Sequence, residues 1–219
     1  MSALGARRRS AGGQSRLERS EITRAALVRS ASKLICELGM HGASIDKIAA
    51  DAGYTKGAFY AHWDSKEDMF LTLLDEHFAA ELTRLDTVLE GVGEPALEAR
   101  AAAEGFLARV ESEPQWRGLY RELASHAARN ESFRQQFAAR QRDLRERMAL
   151  VFARWAADLG ATPGVPARDV AAMTMAMADG FLLGRLIDPE LEEGLYGSMF
   201  EVFLRGLMAM PGTVMPESG

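Results

Sequence analysis

Apolar residues recur at three- and four-residue steps along nearly the whole chain. Ile22, Leu27, Ala31, Leu34, Ile35 and Leu38 form one stripe, which predicts a helix over 20–38. Ser20 is placed to cap its start and Gly39 to stop it. The segment SIDKIAADA predicts a short helix over 44–52, with Ser44 as cap and Gly53 at its end, and KGAFYAH predicts another over 56–62. Ser65 then opens a long helix, and Asp68 three residues later completes a capping-box pattern. Phe70, Leu73, Leu74, His77, Phe78, Leu82, Leu85 and Leu89 carry its stripe to about residue 90. At 1.5 Å per residue such a helix is on the order of 39 Å long and is expected to join two halves of the molecule.

Gly91, Gly93 and Pro95 interrupt this pattern. Helical spacing resumes over 95–112, over 114 to about 129 behind Pro114, and over 132–159. After the Gly- and Pro-rich loop 160–166 it returns over 167–187 and 190–209. Residues 1–17 hold four arginines, three glycines and few apolar positions, and predict a disordered basic arm. The tail 211–219 is expected to fray. Period-two alternation is nowhere sustained and there is no internal repeat, so the expected fold is all-α with about nine helices. The domain division is 18–66 and 67–210.

Composition narrows the function classes. A chain of 219 residues with 47% hydrophobic and 26% charged positions can build a sizeable core. No apolar run is expected to span a bilayer, and the N-terminal arginines precede no apolar stretch of a secretory signal. Cys36 is the single cysteine, so no internal disulfide can form. A cytoplasmic location follows as the default. The four histidines (His41, His62, His77 and His126) fall on separate elements, so no metal site is expected. No phosphate loop or catalytic triad is recognisable, and no cofactor is implied. The net charge of −5 argues against nucleic acid only until it is divided. Residues 1–66 carry eleven Lys and Arg against six Asp and Glu, a net +5, and the remainder carries −10. Such asymmetry marks a contact with an acidic surface made by one half alone.

The basic half holds a candidate helix-turn-helix over 44–62. Ala49 is small where two helices must cross, and Gly53 can adopt the positive φ of a tight turn. Ile48, Ala52, Tyr54 and Phe59 are apolar where the helices must pack. Thr55, Lys56, Gly57 and Ala58 would then start a helix able to approach base edges closely. Tyr60, His62 and Lys66 are spaced to reach the phosphates on either side. A short helical hairpin without DNA function would show the same small residues.

The segment TKGAFYAHWDSKEDMF resembles the signature of the TetR family of bacterial transcriptional regulators. Thr55, Lys56, Gly57, Phe59, Tyr60, His62, Trp63, Ser65, Lys66, Glu67, Met69 and Phe70 match it, and the likeness covers about residues 20–80. Trp63 stands where Phe is commoner and should fill more of the core, while Ala61 leaves a small base-reading set of Thr55, Ala58 and Ala61. Small side chains favour contact with thymine methyls over bidentate purine readout. The resemblance implies that Ser44, Lys56, Tyr60, His62 and Lys66 bind phosphates of an operator duplex. It implies that Thr55, Gly57 and Ala58 approach its bases, and that Arg16, Arg19 and Arg24 add contacts from the arm. His62 could instead cap the recognition helix against Trp63, and Lys47 could be either a contact or a solvated face.

The acidic half is rich in methionine and aromatic residues. Phe106, Trp116, Tyr120, Met148, Phe152 and Trp155, with Met173, Met175, Met177 and Phe181, suit either an ordinary core or a pocket for an apolar or aromatic small molecule. Asp179 and Glu122 could be buried polar partners or surface positions. The last two helices are apolar over broad faces, at Gly180, Gly184, Met199, Phe200, Phe203 and Leu207 among others. The resemblance implies that they pair two copies across a two-fold axis, which would set the recognition helices about 34–36 Å apart or somewhat more. The expected protein is therefore a homodimeric repressor, not an enzyme, released from a palindromic operator by a small-molecule inducer. A ligand-binding protein or enzyme with a vestigial helix-turn-helix, and a ligand-independent architectural DNA binder, are the alternatives.

Overall fold

The computed structural model describes the backbone of residues 3–89 and 94–210, and the side chains of 16–89, 94–113 and 116–210. Among the described residues the chain forms α1 (Ala3–Gly42), α2 (Ile45–Asp51), α3 (Lys56–Tyr60), α4 (Lys66–Leu89), α5 (Pro95–Ser112), α6 (Pro114–Ala127), α7 (Glu131–Asp158), α8 (Ala167–Ile187) and α9 (Gly194–Ala209).

Local chemistry sets most of these boundaries. The Ser44 hydroxyl accepts from the Lys47 N–H at 3.3 Å to open α2, and Thr55 accepts from the Ala58 N–H at 3.4 Å to open α3. At the start of α4 the Asp68 N–H donates to Ser65 Oγ at 3.0 Å. The Asp68 carboxylate in turn accepts from the Asp64 N–H at 3.2 Å, one residue upstream of the simple capping box. Gly39 has φ 70° and ψ 172°, which breaks α1 before its last turn, and Gly53 at φ 77° makes the turn between α2 and α3. Ser20 is not a helix start. Helix α1 runs through it because Arg16, Leu17, Glu18 and Arg19 all favour helix. The arm expected over 1–17 falls mostly on 1–15, whose side chains lie outside the described residues, as does the tail 211–219. The last helix begins at Gly194 instead of 190, since residues 188–193 turn around Asp188, whose carboxylate accepts from the Glu190 N–H at 3.1 Å.

The helices gather into two compact units. One comprises Met1–Leu73 with Pro114–Arg134, and the other Leu74–Glu113 with the chain from Gln135 onward. The units do not follow the linear division at 66 and 67: α4 is shared between them, and α6 belongs with α1–α3. The cause is close packing. An added Cβ at Gly118 would lie 2.8 Å from Cys36 Sγ, so glycine lets α6 approach α1 more closely than any other residue could. In this first unit Leu27, Ala31 and Ile35 of α1, Ile48 of α2, Phe59 of α3, Met69 and Phe70 of α4, Leu119 and Leu123 of α6 and Phe133 of α7 are essentially inaccessible. Each large side chain so buried contributes roughly 1.5–3 kcal/mol.

The second unit is built on α5, α8 and α9. Ala103, Leu107, Phe181 and Tyr196 form its core cluster, with Phe106, Met199 and Phe200 packed against it. Gly197 admits the Glu104 side chain, which would lie 2.6 Å from an added Cβ, and so lets α5 and α9 pack closely. Arg100 ties Glu104 and Glu201 together at 2.8 and 3.2 Å. Helix α8 amends one expectation, because by length and composition it is apolar enough to cross a membrane. Its Ala171, Thr174 and Phe181 are nevertheless buried within the unit, and Arg185 near its end pairs with Glu111 at 2.7 Å.

Candidate nucleic-acid interface

Helix α3 is short, and its posture depends on what lies behind it. Phe59 is fully buried and packs on Trp63, with ring centroids 5.5 Å apart. Ala49 is 2% exposed where α2 meets its neighbours, and the buried Ser30 hydroxyl of α1 donates to the Ile48 carbonyl at 2.9 Å. Lys33 of α1 bonds Asp51 at the end of α2 at 2.9 Å. With its inner face pinned, α3 presents Thr55, Lys56, Gly57 and Tyr60 outward, all exposed, with Ala58 half-buried beside them. Tyr60 is 49% exposed although its ring meets Phe59 edge-on at 5.7 Å.

The cations sort into two groups. Lys56 is exposed and reaches Asp46 of α2 at 3.0 Å, and this hydrogen bond holds its ammonium above the usual lysine range. Arg16 and Arg19 are exposed along α1. Arg24 is half-buried, with its guanidinium over the Trp63 ring at 5.5 Å. The larger indole at position 63 thus fills the core, as expected, and also positions an arginine. His62 is half-buried with its ring 5.3 Å from Trp63.

Lys66 and Lys47 serve the fold. Lys66 turns inward and donates to the carbonyls of Met40 and, at 3.0 Å, Ala43. Lys47 donates to the Gly42 carbonyl at 3.0 Å. The kink at Gly39 and the sharp turn into α2 leave carbonyls at the end of α1 without helical partners, and the two ammonium groups satisfy them. Burial pulls the Lys66 ammonium below its usual range. In this geometry the Lys66 charge is engaged within the chain, a structural role beside the expected phosphate contact. Sequence spacing alone gave no sign of this, because the carbonyls lie 26 and 23 residues away.

The candidate ligand residues are divided between the units. Trp116 and Tyr120 lie on α6 in the first unit, whereas Phe106, Met148, Phe152, Trp155, Met173, Met177 and Phe181 lie in the second. Phe181 is a core residue against Tyr196, with centroids 4.9 Å apart, and Met173 is 44% exposed. Trp155 and Thr174 are buried, and among the described residues the Trp155 Nε1–H and the Thr174 hydroxyl have no hydrogen-bond partner. Asp179 is exposed on α8, and partial desolvation pushes its carboxyl above the usual range.

Among the candidate pairing residues, Met199 and Phe200 pack on the core cluster and Leu207 is buried. Phe203 and Gly184 are half-buried, and Gly180 is exposed. The stripe running through Tyr196, Met199, Phe200 and Leu207 is spent on packing inside the chain. The exposed apolar residues are instead Leu183, Leu186 and Ile187 of α8 and Leu195 and Val202 of α9.

Comparison with known proteins fits this arrangement. Residues 27–73 match the pattern of bacterial regulatory proteins of the tetR family, and residues 95–208, more than half of the chain, match the C-terminal part of BetI-type transcriptional repressors. The transcriptional activator FasR of Mycolicibacterium smegmatis is 32% identical over 111 residues, which are 49% of this chain and 50% of FasR. The chain thus spans about half the length of that relative. FadR of Bacillus subtilis, solved with stearoyl-CoA, superimposes with a TM-score of 0.68 at 16% identity over 82% of this chain and 96% of FadR. SmeT, the repressor of the Stenotrophomonas maltophilia efflux pump SmeDEF, was solved with triclosan. It superimposes with a TM-score of 0.67 at 23% identity over 90% of this chain and 96% of SmeT. The last two likenesses are of fold. The first pattern falls within the first unit and the second runs through residues of both, and the chain belongs to the tetR family of bacterial regulatory proteins.

Proposed function

We propose that the chain is a cytoplasmic transcriptional repressor, not an enzyme, that binds a palindromic DNA operator as a homodimer and leaves it when a small apolar or aromatic molecule binds. The observation that carries the reading is the outward row Thr55, Lys56, Gly57 and Tyr60 on a helix whose inner face is fixed by buried Phe59. A major-groove reader needs both an open polar face and a rigid mount. The small side chains bring the backbone close to the base edges, while Lys56, Tyr60 and the arginines of α1 engage phosphates.

Pairing is supported by the exposed Leu183, Leu186 and Ile187, which together form an apolar surface that a second copy would cover. Ligand response is supported by the buried Trp155 Nε1–H, which has no acceptor among the described residues and which an acceptor on an otherwise apolar molecule would satisfy. FadR with stearoyl-CoA and SmeT with triclosan both pair apolar bulk with polar atoms. Such a ligand shifts the population only through its differential affinity for the two conformations, and so favours one whose recognition helices no longer match the half-sites.

Selection of bound fragments from genomic DNA, followed by titration of the recovered duplex at fixed salt, tests the reading. Lys56→Ala and Tyr60→Phe should each weaken operator binding while the dimer persists. Unchanged affinity in both variants would refute the interface, and binding without sequence preference would select the architectural alternative.

A further inference from the structure

Helix α6 meets α1 closely at Gly118, and a cluster of polar and aromatic groups fastens its far end to the DNA-binding elements. His126, near the end of α6, is 5% exposed. Its ring meets Phe133 of α7 edge-on at 4.9 Å and His41, at the end of α1, edge-on at 5.5 Å. Its Nε2 lies 3.6 Å from the Glu67 carboxylate at the start of α4 and 3.5 Å from the Asn130 amide. Glu67 adjoins Lys66, whose ammonium holds the carbonyls of Met40 and Ala43 at the corner leading into α2. The chain passes between the two units three times, within α4 and at either end of the segment 114–134. That segment, α6 with the first turn of α7, is therefore joined to the second unit through both its ends while it packs on the head.

We propose that His126 is a positioning residue for operator binding, whose neutral ring clasps α6 to the ends of α1 and α4 and whose protonation loosens that clasp. The neighbourhood favours the neutral form. Burial, first, and then the nearby His41, Lys66 and Arg129 pull the His126 pKa below the usual histidine value, while Glu67 alone opposes them. The unfolded or released ring has a pKa of about 6.5. A ring with a lowered value in the clasped state binds fewer protons there than when released. The clasp is therefore intact above about pH 6.5 and weakens as the pH falls below it. A released α6 frees the ends of α1 and α4, and with them the corner on which α2 and α3 are mounted.

The inference rests on the DNA-binding reading, and the experiment separates the two. The full-length protein is titrated with the selected operator duplex by fluorescence anisotropy at fixed salt from pH 8 to pH 5.5. This is done for wild type, His126→Gln, Glu67→Gln, and His62→Gln as a control for a histidine near DNA. Wild-type affinity should be flat above about pH 7 and fall on the order of 3- to 10-fold by pH 5.5. His126→Gln, which keeps a polar planar group, should bind within about threefold of wild type at pH 7.5 and lose the acid-side fall. Glu67→Gln removes the one group that favours the charged ring in the clasp, so the fall should begin at the same pH and become deeper. His62→Gln should leave the fall in place. Amide protection factors over residues 119–127, which allow for the slower intrinsic exchange in acid, should fall on acidification in wild type and not in His126→Gln. Failure of the wild type to select any operator would sink the DNA-binding reading. Operator binding with an acid-side profile unchanged in both His126→Gln and Glu67→Gln would overturn the clasp.

Discussion

Lys66→Met separates a strut from a phosphate contact. Methionine keeps the length of the aliphatic stem and removes only the ammonium, so the carbonyls of Met40 and Ala43 lose their donor. Hydrogen bonds from a charged group contribute about 1.5–3 kcal/mol when buried. Lys66 is half-buried and water can replace part of what is lost, so we expect a loss of about 1–2 kcal/mol. For a chain of this size each kcal/mol is worth about 2–4 °C, and the melting temperature should fall by about 2–8 °C. Operator affinity at pH 7.5 should fall as the corner between α1 and α2 loosens. Its dependence on salt should not change, because no phosphate charge is being neutralised. A phosphate contact would behave in the opposite way. Removing one from each half of a dimer would reduce the slope of log K against log salt by about 1.8, at the roughly 0.9 per phosphate typical of duplex DNA. The assay is a set of titrations between 50 and 250 mM salt beside a thermal melt. An unchanged melting temperature with a reduced slope would refute the strut and restore Lys66 to the DNA surface.

Two further substitutions probe the packing. Gly118→Ala places a methyl 2.8 Å from Cys36 Sγ and should cost about 1–3 kcal/mol by overpacking α1 against α6, read as a lower melting temperature with the helical content retained. Ile187→Glu puts a charge on a side chain that is 76% exposed in the single chain. It should leave the melt of the protomer nearly unchanged yet shift the sedimentation coefficient to that of a monomer; a dimer that survives it would remove α8 from the interface.

What the sequence made legible was governed by local rules. Ser44 and the Ser65–Asp68 pair announced their helix starts, and Gly39 and Gly53 their turns, because capping and positive φ involve neighbours within four residues. The outward row on α3 was legible for the same reason, once Phe59 was assigned inward. The partners of Lys66 were not, since a lysine next to a helix start looks the same whether it faces solvent or a carbonyl far back in the chain. Helix α6 gave no sign of joining the head, because its stripe of Leu119 and Leu123 shows that one face is buried without saying against what. The apolar surplus of α9 hid a division of labour. Tyr196, Met199, Phe200 and Leu207 share one face and are used within the chain, while Val202 points away, 70% exposed.

The three passages of the chain between the units bear on how the protein can be dissected. A fragment ending at residue 73 would carry every residue of the recognition surface yet lack Leu119, Leu123 and Phe133, which supply part of the apolar lining of its own unit. Cutting once yields two incomplete pieces. A self-sufficient head would have to be spliced from Met1–Leu73 and Pro114–Arg134, with a designed linker in place of the forty residues 74–113 that separate them. Exchange of heads between relatives would then succeed when α6 travels with the head and fail when the graft stops at α4.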